Sequence, residues 1–119
     1  MTAIAAQKIG RVAAAIDQDD DLLTGCPINN LSSELALQDR QIQSSLSALF
    51  DCWQDEWAKA LCSQSDLEAQ TGFKNARQLA LYIVAAIEGA QAMAKAQQSR
   101  EPLDAVLKHL EITLRRSHD

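Results

Sequence analysis

The segment LALYIVAAIEGAQAMA, Leu79 to Ala94, constrains this chain more than any other. Its periodicity predicts a helix that is apolar around nearly its whole circumference, interrupted by Glu88 and Gln91. A helix of that kind must be covered on both sides. In a chain of 119 residues few helices can be fully enclosed by their own domain. The simplest solution sets one side on the core and the other on a second copy of the chain. Ala86, Gly89, Ala90 and Ala94 are small and let another helix come close.

The remaining pattern is helical, with no credible strand. A first helix is expected from about Thr2 to Asp17, with Ala5, Ile9, Val12 and Ile16 on one face. It stops in DQDDD, where acidic side chains meet the unfavourable end of the helix dipole. At Gly25 the chain turns. Pro27 suits a first helical turn, and Ile28, Leu31 and Leu35 then line one side of a short helix. Asp39 caps the next element, which runs to about Ser63 with a stripe of Ile42, Leu46, Leu49, Phe50, Trp53, Trp57, Ala60 and Leu61. Ser65 and Glu68 form a capping-box pattern over one turn ending at Gly72. Asn75 caps the apolar helix, expected to reach about Gln98. A last helix starts at Pro102 and aligns Leu103, Leu107, Leu110 and Leu114. The expected fold is all-α, an antiparallel or orthogonal bundle of five to six helices forming one domain over residues 1–119.

Charge and cysteine usage remove several classes of function. The formal net charge is −5, and Arg115 with Arg116 is too little for the basic patch of a freestanding nucleic-acid binder. Lys8 and Arg11 interrupt the amino-terminal apolar stretch, which excludes a signal peptide. The Leu79–Ala94 run reads as too short and too polar to span a bilayer. Three cysteines without a C-x-x-C fit a reducing cytoplasm, so a soluble cytoplasmic domain is expected. No nucleophile elbow, H-E-x-x-H, P-loop or glycine-rich loop occurs, and an enzyme is not expected. Cys26, Cys52 and Cys62 read as small buried hydrophobes, since none has a nearby histidine to activate it. His109 and His118 make no metal spacing with them, so no metal or cofactor is expected.

Taken in order, GCPINNLSSELALQD, the Phe50–Trp53 pair, the Gly89–Ala90 pair and the Pro102–Leu103 start resemble the C-terminal regulatory domain of TetR-family transcription factors. Gly25, Cys26, Asn30, Leu31, Glu34, Leu35 and Asp39 occupy the places of that domain's first corner. The resemblance covers nearly everything from Gly25 onward. It implies a small, apolar or amphipathic effector bound among the helices, and a homodimer built by the last two helices. Candidate effector residues are Asn30, Leu31, Phe50, Trp53, Trp57 and Val84. Candidate interface residues are Ala86, Gly89, Ala90, Met93, Ala105, His109 and Ile112. The family's helix-turn-helix half is absent from this sequence, so DNA binding is expected only through a domain outside it. A standalone dimerisation module that pairs with full-length relatives is the alternative.

Several of these residues carry two readings. Trp53 and Trp57 either fill the core or wall a cavity. Asn30 either holds the corner or orients a ligand. Glu88 either crosses a dimer seam, reaches solvent, or faces a cavity and selects a cation; burial would raise its pKa unless it is paired.

Overall fold

A computed structural model describes residues 7–12, 25–61 and 67–116, and among these every regular element is a helix. Residues 7–12 form α1, followed by α2 (Pro27–Leu35), α3 (Arg40–Leu61), α4 (Leu67–Thr71), α5 (Ala76–Gln97) and α6 (Glu101–Arg116). Ala5, Ile16, the acidic run at 17–21, Cys62, Ser65 and His118 lie outside the described residues.

Local chemistry sets the helix ends. The Asp39 carboxylate accepts from the amides of Gln41 at 2.8 Å and Ile42 at 3.2 Å, tying down donors that the first turn of α3 leaves without helical partners. Asn75 does the same for α5, accepting from the Gln78 amide at 2.9 Å, while the Gln78 side chain accepts from the Lys74 amide at 3.2 Å. At the far end of α5, Gln98 adopts left-handed φ 47° and ψ 49°, and the Ser99 amide donates to the Ala94 carbonyl at 3.1 Å. This turn lets α6 fold back antiparallel to α5, placing Thr113 and Leu114 beside Leu79 and Tyr82. Gly25 holds the corner before α2 at φ +75°, a region that L side chains rarely adopt. A Cβ there would also stand 3.3 Å from Cδ of Lys95 and 3.4 Å from Oδ1 of Asn30.

The core gathers on one side of α5. Leu79, Ala80, Ile83, Val84, Ile87, Ala90 and Ala94 are buried against α3 and α6. The leucines of α6 meet them as the spacing predicts: Leu103, Leu107, Leu110 and Leu114 are all buried. Ile9 of α1 and Leu61 of α3 complete the set. Burying one such side chain contributes about 1.5–3 kcal/mol. The α3 stripe is buried less evenly than its periodicity suggests. Leu46, Trp57 and Leu61 are buried, whereas Leu49 is 40% exposed in the groove between α2 and α3. At the surface, Arg77 of α5 pairs with Asp51 and Asp55 of α3, and Gln54 donates to the Arg77 carbonyl at 3.0 Å.

Three sequence expectations change here, the first being Cys52, which is exposed rather than buried. At 22 residues, with an 18-residue window of mean hydropathy 1.3, α5 is long and apolar enough to cross a bilayer by those measures. Its inward residues are nonetheless the core of the domain. Ala90 is not available to a partner. Only 2% of it is exposed, because it shares the inward face with Ile83, Ile87 and Ala94.

Candidate functional site

Two concavities flank α5, one on each side of the helix.

The inner one, of about 350 Å³, lies between α1, the start of α2, α3 and α5. Its walls are set by helical spacing. On α3, Trp53 and Trp57 are one turn apart; on α5, Val84, Ile87, Glu88 and Gln91 share a stripe; on α1, Lys8 and Val12 are one turn apart. Trp57 is buried, and the Lys8 ammonium lies 5.2 Å from its ring centroid, within cation–π range. Trp53 is half-buried and meets Phe50 edge to face, with centroids 5.5 Å apart.

Glu88 is the polar centre of this cavity. Among the described residues, its Oε2 is the buried side-chain oxygen that has no hydrogen-bond partner. Burial pushes its carboxyl above the ordinary range, and a hydrogen bond with the Cys26 thiol pulls part of that back. Burial also pushes the Cys26 thiol up. The neighbouring Glu88 adds to that rise, and the backbone amides of Asn29 and Ile28 oppose it. A thiol held protonated in this way is a poor nucleophile.

The outer concavity, of about 530 Å³, is a groove between the turn after α4 and the outward sides of α5 and α6. Phe73 and Tyr82 stack in it with centroids 5.4 Å apart, and Ala86, Ala105 and His109 line it further along. Tyr82, Ala86, Gly89 and Met93 recur at helical spacing down the outward side of α5, and Leu81 and Ala85 flank them. Leu81, Tyr82 and Met93 are 55%, 52% and 52% exposed. No charged residue falls in this sector of the helix.

The residues nominated from sequence therefore separate. Trp53, Trp57 and Val84 come together in the inner cavity. Phe50 packs against the core beside Trp53 and does not line it. Leu31 lines a separate shallow groove between α2 and α3 with Ile42 and Leu49, because its side of α2 faces away from α5. Asn30 stands beneath Gly25 at the corner, outside the cavity lining. Of the interface candidates, Gly89, Met93, Ala105, His109 and Ile112 are exposed, Ala86 is half-buried and Ala90 is buried. The contributions of Lys8, Cys26 and Glu56 to the inner cavity were not legible from spacing. They come from three different elements, and only the tertiary fold brings them to α5. Among the described residues, no group of three or more His, Cys, Asp or Glu side chains could hold a metal ion.

Residues 2–109 match the family model for the C-terminal domain of LmrA/YxaF-like transcriptional regulators. No curated protein and no solved structure matches the chain. The all-helical architecture, the two-sided apolar α5 and a match over nearly the whole sequence lead to one assignment: this chain belongs to the LmrA/YxaF-like TetR-family regulators and is their C-terminal domain.

Proposed function

We propose that this domain is the sensing and dimerising half of a transcriptional repressor. It receives a small apolar or amphipathic effector in the cavity beneath Trp53 and Trp57, and it pairs with a second copy through the outward sides of α5 and α6. The observation that carries this reading is the double-sided character of α5. The inward side is buried by α1, α3 and α6, while the outward side, from Leu81 to Met93, is also apolar and, among the described residues, leaves Leu81, Tyr82 and Met93 more than half exposed.

Two copies meeting through α5 and α6 would build an isologous four-helix contact. Each copy would bring the same exposed set, Gly89, Met93, Ala105, His109 and Ile112, with Tyr82 and Leu81 added by the structure.

TetR-family regulators act as dimers and bind DNA through an N-terminal domain. Within that plan, effector binding in the inner cavity would shift α1 and α3 against α5. The shift would alter the spacing of the DNA-binding domains, a coupling of about 1–3 kcal/mol in typical cases. The domain's role is regulatory rather than catalytic, and its place is the cytoplasm.

Native mass spectrometry of the gently purified protein tests the proposal. The expected species has twice the 13.0 kDa chain mass and retains a small-molecule adduct. A monomer at micromolar concentration would refute the dimer, and steady turnover of any compound would refute a purely sensory role.

A further inference from the structure

We infer that the inner cavity selects a lipophilic organic cation, an amine or quaternary ammonium on an aromatic or branched apolar body, with Glu88 as its counter-charge and Trp53 and Trp57 as its walls. The inference rests on the proposal that this cavity is the effector site, and it adds the ligand's charge and shape.

Three observations support it. First, Oε2 of Glu88 is buried without a hydrogen-bond partner. A buried carboxylate oxygen is costly unless a cation or donor meets it. Among the described residues, the side chain that reaches this carboxyl is the Cys26 thiol, a weak donor that brings no charge. Second, an aromatic face in the same cavity already holds a cation, since the Lys8 ammonium lies 5.2 Å from the Trp57 centroid. That contact marks the indole as a cation platform. A quaternary or tertiary ligand ammonium, less strongly hydrated than the Lys8 ammonium and free of its flexible four-carbon stem, would compete for it. Third, the ionisable lining is Lys8, Cys26, Glu56 and Glu88, and Glu56 is paired at the surface with Lys59 at 3.6 Å, which leaves Glu88 as the inward acidic group of the cavity. A volume of about 350 Å³ sits at the small end of ligand pockets and suits a compact cation.

A cation at Glu88 also gives the raised carboxyl a reason to ionise. Binding should therefore release a proton at pH values where Glu88 is still protonated, and it should strengthen as pH rises. The titratable groups that line the cavity with Glu88 are the Cys26 thiol from the start of α2, Lys8 from α1 and Glu56 from α3.

The test compares phenyltrimethylammonium with tert-butylbenzene, two probes of the same shape that differ in charge. Both tryptophans of the chain line the cavity, so intrinsic fluorescence reports binding there and not in the outer groove. In the wild type, the ammonium should bind at least about tenfold more tightly than the hydrocarbon. Glu88→Gln keeps the shape of the side chain and should bring the two probes to within about twofold. Lys8→Ala should tighten the ammonium severalfold by removing its competitor, and circular dichroism establishes that both variants fold. Equal binding of the two probes to the wild type would overturn the cation inference and leave the cavity as an apolar effector site. A charge preference that survives Glu88→Gln would overturn the assignment to Glu88. Binding of neither probe would overturn both this inference and the effector-site reading.

Discussion

The inward and outward sides of α5 have similar composition and opposite surroundings. Inward, Ile83 is 0% exposed among the helices of its own chain. Outward, Met93 is 52% exposed, ten residues further along the same helix. Burial decides what each side does: the covered side supplies stability, and the uncovered side is surface available for association. Glu88 stands near the boundary between them and is turned into the inner cavity, where its partial burial is compatible with regulation more than with stability. One helix thus links the cavity, the core and the proposed dimer face.

Substitutions on the two sides should separate these roles. The largest effect is expected inward. Trp57→Ala, at a site 5% exposed, should lower stability by about 3–5 kcal/mol, and Ile83→Ala by about 2–5 kcal/mol. Chemical denaturation at a protein concentration low enough to keep the chain monomeric measures both. A loss below about 1 kcal/mol at either site would break the distinction between the two sides.

Next in size is the outward pair. Tyr82→Glu with Met93→Glu should leave monomer stability almost unchanged and weaken self-association by at least about a hundredfold, read by sedimentation velocity across a concentration series. A fully monomeric variant with wild-type helicity would sharpen the comparison. An unfolded variant would show that the outward side is part of the core.

A subtler effect should come from Glu88. Its folded carboxyl lies above the ordinary value of 4.5, so the folded state keeps the proton longer than the unfolded chain. The associated stability is full below pH 4.5 and is lost as pH rises through the folded value. Glu88→Gln removes this dependence. The wild type should therefore lose Tm relative to Glu88→Gln as pH increases from 4.5, and a constant difference would contradict the burial of this group.

The smallest effect concerns the helix end that orients both sides. Asn75→Ala removes the cap on the Gln78 amide and should cost about 1 kcal/mol, with no change in association beyond that loss.

Much of this comparison was legible in the sequence. The all-round apolar pattern of Leu79–Ala94, the Asn75 and Asp39 caps, the Gly25 corner and the α6 leucines each follow from local periodicity or backbone conformation, and each appears where expected. The candidate sites were only partly legible. Trp53, Trp57 and Val84 meet because two helices cross at the right height, and spacing along one helix cannot give that height. Leu31 and Asn30 share the opening corner with Cys26, yet a helix turns about 100° per residue, so only Cys26 reaches the cavity. Ala90 was nominated for its small size. Size permits close approach without fixing a direction, and the residue faces inward.

The most direct test of the two-sided helix is hydroxyl-radical footprinting of the wild-type protein from nanomolar to micromolar concentration, scored against a radical dosimeter. Tyr82 and Met93, both 52% exposed in the single chain, should lose reactivity together as concentration rises, while Trp57 stays protected throughout. Reactivity at Tyr82 and Met93 that does not change with concentration, in a protein that keeps the mass of one chain, would contradict the proposed dimer.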